Sequence, residues 1–177
     1  MFLKGLKDKF KHKSGVKFLR NELKNAPQFV ESRKGIKSIG IIVDLDNFDN
    51  SDVFSQLIDD FKLRHSAIKI IGYRGFYDKN SPYALPVFSD KDLGWGGDIE
   101  NSYALEFLTK EYDLLINYYT QDKLMMQLMT VKTKARIKVG FDEVDKDLND
   151  LILQTSLKDF TTFKTELKKY LTVMNEL

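Results

Sequence analysis

Four aspartates fall within nine residues at the end of the first long apolar run of the chain: Asp44, Asp46, Asp49 and Asp52 close or follow SIGIIVDL at 38–45. A continuous apolar run of that length reads as a strand buried on both faces. In open parallel sheets, ligands bind beyond the carboxyl ends of the strands. Carboxylates at such a place could hold Mg²⁺ or act as a general base. If the chain is an enzyme, Asp44, Asp46 and Asp52 are the catalytic candidates. They would then have to converge with Asn117, Asp142 and Glu143, which end or follow the neighbouring strands. In a mere scaffold the acids would be solvated, one or two of them capping a helix that starts near Ser51, where partial positive charge favours a carboxylate. The sequence favours the scaffold. It has no cysteine, so it has no thiolate metal site and no cysteine nucleophile. Its two histidines, His12 and His65, cannot by themselves build a metal site. The glycine-rich stretch GWGGD at 94–98 lacks the GxGxxG spacing of a dinucleotide site. Neither a metal nor a cofactor is expected.

A second kind of chemistry is concentrated at the start of the chain. Residues 1–37 carry eleven Lys or Arg against three Asp or Glu, whereas the remaining 140 carry seventeen against twenty-three. The overall charge of +2 therefore hides a basic segment on an acidic body. A local cluster of cations attracts polyanions however the rest balances. The candidate contacts to a phosphate or lipid headgroup are Lys4, Lys7, Lys9, Lys11, Lys13, Lys17, Arg20 and Lys24. RNA phosphates and anionic membranes are the two obvious partners. Phe2, Leu3, Leu6 and Phe10 among the first lysines suit lipid, and the later cations suit a phosphate groove. The bland alternative is a helix packed on the body with its lysines solvated. Trp95 could be presented by its glycine loop for stacking on a base, although such a tryptophan more often plugs a loop onto the core. Met125, Met126 and Met129 read as flexible core filling.

The elements that must position these groups alternate along the chain. Phe2, Leu6 and Phe10 mark a short amphipathic helix, which Ser14 and Gly15 interrupt. Val16, Leu19 and Leu23 mark a second, which Pro27 stops. Strands are expected at 38–45, 67–73, 113–118, 135–140 and 151–154, with a short edge strand at 84–88 flanked by Pro82 and Pro86. Helices fall between them. Phe54, Leu57, Ile58 and Phe61 share one helical face, Tyr103, Phe107 and Leu108 another. A capping box at Ser156 and Asp159 opens a last helix with Phe160, Phe163, Leu167, Tyr170, Leu171 and Met174 on its apolar face. Strands separated by single helices require parallel pairing. The expected architecture is a Rossmann-like three-layer α/β sandwich with a mostly parallel sheet of five or six strands at 38–177, preceded by a basic helical arm at 1–37. No apolar run approaches the roughly 18 residues of a membrane span, and lysines occupy the place of a signal-peptide core. A cytoplasmic location is the default.

Several stretches resemble known families. IVDLDNF is similar to the first motif of haloacid-dehalogenase-type phosphatases, which would make Asp44 a nucleophile and Asp46 an acid. The same letters look like the opening of NYN/PIN-type nucleases, with Asp44 and Asn47 in the motif positions. The layout from IGIIVDL through EYDLLINYY to ARIKVGF is similar to the N-terminal half of heptosyltransferase-like glycosyltransferases, and Asp52 would then be the counterpart of their base; their nucleotide-sugar half has no equivalent here. The combination FSDKDLGWGGD, EYDLLINYY, ARIKVGFDE and FKTELKKYLTVMNEL looks like a family of small Bacteroidota proteins of unknown function. That last resemblance spans most of the chain and implies a fold without a mechanism. The expectation is a non-enzymatic binding or adaptor protein whose arm engages RNA, the ribosome foremost. A peripheral membrane protein and an enzyme using the acids after the first strand are the alternatives.

Overall fold

A computed structural model describes residues 2–25, 34–78 and 83–177, with side chains from residue 5 onward. Pro27, Pro82 and the side chains of Phe2, Leu3 and Lys4 lie outside the described residues. Among the described residues six strands form one sheet: β1 (Ile39–Asp44), β2 (Ile68–Tyr73), β3 (Val87–Phe88), β4 (Glu111–Tyr118), β5 (Lys134–Phe141) and β6 (Leu151–Leu153). Their order is β3-β2-β1-β4-β5-β6, and every pairing is parallel. The two halves of the sheet run in opposite directions from the β1–β4 junction, the arrangement of a doubly wound Rossmann-like fold. The edge strands are much the shortest, two residues in β3 and three in β6.

Among the described residues five helices cover the sheet: α1 (Phe2–Lys24), α2 (Gln56–Asp60), α3 (Ser102–Leu108), α4 (Leu124–Lys132) and α5 (Phe160–Val173). Because side chains alternate along a strand, each strand feeds two cores. Ile39, Ile41 and Val43 face a cluster shared with Phe54, Leu57 and Phe61 and with Phe163, Leu167 and Leu171 of α5. Ile42 and Leu115 face a second cluster that holds Leu19, Phe107, Met125, Met126 and Met129. Tyr118 anchors the first core: its ring meets Phe54, Phe141 and Phe163 edge-on with centroids 5.1 Å apart in each case. Its hydroxyl donates to the Leu157 carbonyl at 2.8 Å, so the polar tip is satisfied inside the core.

Not every element has the form its sequence suggests. The helix after β1 begins as a 3₁₀ turn at Ser51–Ser55, and Asn50 makes no side-chain cap. No helix is seen among the described residues between β2 and β3, and only a 3₁₀ turn (Lys146–Leu148) separates β5 from β6. α5 is capped by Asp159, whose carboxylate accepts from the Thr162 amide at 3.0 Å; Ser156 instead accepts from Lys158. Tyr103, Tyr170 and Met174 are exposed rather than core residues, because short helices present only one narrow stripe inward.

Candidate polyanion interface and the acids at the switch point

α1 is one continuous helix, so Ser14 and Gly15 do not interrupt it. The Ser14 hydroxyl donates back to the Lys11 carbonyl at 2.8 Å, a bond that lets serine sit inside a helix. Gly15 has a packing reason. A Cβ there would meet Leu124 at 3.2 Å and Leu93 at 3.4 Å. The missing side chain lets α1 approach α4 closely. A loop after β3 locks the other flank. Gly96 N donates to Ser14 Oγ at 3.1 Å, and Gly97, at φ 82°, lies against the Phe18 ring. Lys11 Nζ donates to the Leu93 carbonyl at 3.0 Å and pairs with Glu100 at 3.3 Å. Lys132 Nζ sits 4.2 Å over the Phe18 ring. The basic segment is therefore docked on the body as far as Lys24.

Docking sorts the seven candidate cations whose side chains are described. Lys11 is turned inward to Leu93 and Glu100, whereas Lys7, Lys9, Lys13, Lys17, Arg20 and Lys24 are exposed. At about 100° per residue, Lys9, Lys13, Lys17, Arg20 and Lys24 share one outward stripe, spaced i, i+4, i+8, i+11 and i+15. Fifteen rises of 1.5 Å make it about 22 Å long. The two acids of α1, Asp8 and Glu22, fall on the other side of the helix. Leu6 and Phe10, 44% and 54% exposed, lie on the outward side near its N-terminal end. Trp95 is 51% exposed, which corrects the expectation that it plugs the loop onto the core; Gly97 and Phe18 make that contact instead.

The four acids after β1 separate. Asp44 is fully buried, contrary to the expectation of a solvated group. Its Oδ1 accepts from the Asp46 amide at 3.1 Å and its Oδ2 from Asn47 Nδ2 at 2.7 Å. Lys123, from the turn between β4 and α4, places Nζ 3.4 Å from Asp44 and 3.7 Å from Asp46. The same ammonium lies 4.5 Å over the Tyr73 ring. Asp46 also accepts from Gly75 N at 2.8 Å and has Arg74 at 4.0 Å. Two acids and two bases thus close a compensated knot at the switch point of the sheet. Asp49 and Asp52 are exposed and stand apart from it.

The other strand ends do not join that knot. Asn117 donates to Asn149 at 2.7 Å and accepts from the Thr130 hydroxyl at 2.8 Å, so both ends of its buried amide are engaged by neighbours other than the acids. Asp142 and Glu143 border an open hollow of about 690 Å³ together with Asn47 and Thr120. Burial, and then the neighbouring Asp142, push the Glu143 carboxyl above its usual range. Among the described residues no three His, Asp or Glu side chains converge in a way that could hold a metal ion. His65 is exposed, and Met125, Met126 and Met129 are core residues. Lys123 and Arg74 escaped the sequence reading because their roles depend on which strand ends are neighbours. The one available signal was a polar TQDK stretch directly after the apolar strand DLLINYY.

Comparison with family models matches residues 11–174 to a family of unknown function (DUF6913). The match covers nearly the whole chain, and the chain belongs to that family. Comparison with curated proteins and with solved structures returns no match.

Proposed function

We propose that this member of the DUF6913 family is a non-enzymatic cytoplasmic binding protein whose outward face of α1 engages RNA, the ribosome foremost. The observation that carries the reading is the stripe Lys9–Lys13–Lys17–Arg20–Lys24, free of acids and held rigid by the docked opposite face of the helix. With the helix backbone already fixed, only the side chains of the row have to be ordered on meeting phosphates. Trp95, next in sequence to the Gly96 that binds Ser14, adds an exposed indole on which an unpaired base could stack. The switch-point knot gives no support to a phosphatase, nuclease or transferase, since Asp44 is bound to Lys123 and Asp52 stands apart. A Bacteroidota origin and a distant kinship of the fold with heptosyltransferase-like proteins remain part of the proposal, supported by the motif resemblances and the strand order.

The test is binding of a labelled RNA hairpin as salt is varied. Five phosphate contacts should give a slope of roughly 3.5–4.5 log units of affinity per decade of salt. The triple variant Lys13→Glu, Lys17→Glu, Arg20→Glu should keep the fold, because all three side chains are exposed, and lose most of that slope. Unchanged affinity and slope in the variant would sink the proposal. Removing α1 altogether is a poorer test, since it uncovers Leu93, Leu124 and Leu128. The exposed Leu6 and Phe10 favour one second reading, adsorption to an anionic membrane. Sedimentation with phosphatidylglycerol vesicles, lost on Leu6→Ser with Phe10→Ser while RNA binding persists, would select it.

A further inference from the structure

A cleft of about 590 Å³ opens between β3 and the start of α3. This size is ordinary for a small-molecule site. Asp92 forms its floor and is only 2% exposed. Every donor to its carboxylate is neutral. Oδ2 accepts from the Ser89 amide at 2.8 Å, from Asn101 Nδ2 at 3.1 Å, from the Tyr77 hydroxyl at 3.2 Å and weakly from Ser89 Oγ at 3.5 Å. Among the described residues Oδ1 has only the 3.3 Å branch of the Tyr77 hydroxyl. Among the described residues no lysine, arginine or histidine forms an ion pair with it. A carboxylate buried without a cation is costly, and an arriving cation would relieve that cost.

The walls suit a cation as well. Tyr77 and Tyr83 meet edge-to-face with centroids 6.1 Å apart, and Tyr103 stands 56% exposed at the mouth. Burial, with the adjacent Asp92 carboxylate, pushes the Tyr77 phenol above its usual range, so it remains a neutral donor to Asp92. Glu100 at the rim is already paired with Lys11 at 3.3 Å, so Asp92 carries the attraction. The Arg74 guanidinium lies 6.0 Å over the Tyr83 ring and belongs to the Asp46 knot. Aromatic faces gathered around an acid are the general chemistry of quaternary ammonium recognition. We propose that the cleft between β3 and α3, floored by Asp92 and walled by Tyr77, Tyr83 and Tyr103, binds a small alkylammonium ligand. The site is independent of the RNA-binding face.

Choline and its uncharged isostere 3,3-dimethyl-1-butanol are suitable probes, titrated into the full chain and followed by backbone amide NMR. Choline should saturate, shift the amides of Ser89 and Asn101, and bind at least about tenfold more tightly than the alcohol. Tyr103→Ala, at an exposed position, should weaken choline about fivefold, the size of one cation–π contact. Asp92→Asn should abolish the preference for the charged probe. Should that variant fail to fold, the isostere and Tyr103→Ala still decide the matter. Equal binding of the two probes, no saturation below about 10 mM, or choline affinity indifferent to Tyr103→Ala would each overturn the proposal.

Discussion

Replacing Glu176 with glutamine strikes at the clasp that joins the end of the chain to the start of the sheet. Glu176 follows α5, and its carboxylate accepts three bonds. Arg136 Nη1 reaches Oε1 at 2.9 Å, Arg136 Nη2 reaches Oε2 at 2.8 Å, and Gly35 N reaches Oε2 at 2.8 Å. The two charged side chains are 7% and 9% exposed. Glutamine keeps one acceptor and turns an amide donor towards a guanidinium donor. Breaking a buried pair from one side costs 3–5 kcal/mol as a rule. Arg136 retains Asp113 at 3.5 Å, so the low end applies, about 3 kcal/mol. For a chain of this size that is a fall in Tm of about 6–12 °C. The hydrogen bonds from Arg136 hold the Glu176 carboxyl below its usual range. A group depressed in the folded state stabilises above its unfolded pKa, about 4.3, and that gain is lost as pH falls through the folded pKa. Urea melts of both proteins should therefore differ by the full amount from pH 7 to 5 and begin to converge only as pH falls below about 4. A difference under about 0.5 kcal/mol at pH 7, or one that stays constant into acid, would refute the reasoning.

Truncating the fully buried Leu115 of β4 to alanine should cost about 2–5 kcal/mol in urea melts; a cost below about 1 kcal/mol would mean the site is not packed between helix layers. Gly97→Ala forces a side chain onto a residue at φ 82° and into Phe18, so hydrogen exchange should quicken across α1 while the amides of β1 and β4 stay protected. Asp44→Asn keeps an acceptor for the Asp46 amide but removes the charge facing Lys123. It should lower stability by about 1–2 kcal/mol and leave RNA affinity within about twofold, because the knot and the α1 stripe share no residue.

The sheet was legible because strands buried on both faces cannot hide among polar residues: IIV, IKII and DLLINY announce themselves. The apolar face of α5 was legible for its regular period through Phe160, Phe163, Leu167 and Leu171. What failed were readings that depend on a distant partner. Gly15 looks like a helix breaker until α4 lies beside it. Asp44 looks solvated until Lys123 arrives from the end of β4, some eighty positions away. Trp95 was expected to be the loop's anchor, yet a glycine at positive φ brought the backbone itself into contact and left the indole outside. The cleft at Asp92 had no linear signature, since Tyr77, Asp92 and Asn101 come together only through the crossing of three loops.

The brevity of β3 and β6 bears on how copies of this protein meet. An exposed strand edge is a row of unpaired amides and carbonyls that invites another chain to add itself. Here the long strands, β4 and β5 with eight residues each, lie inside the sheet, while the borders expose ladders of only two and three residues. Such borders are too short to template a continuous intermolecular sheet. Strand addition therefore has little to build on, and crowding the protein at high concentration should not by itself seed fibrils.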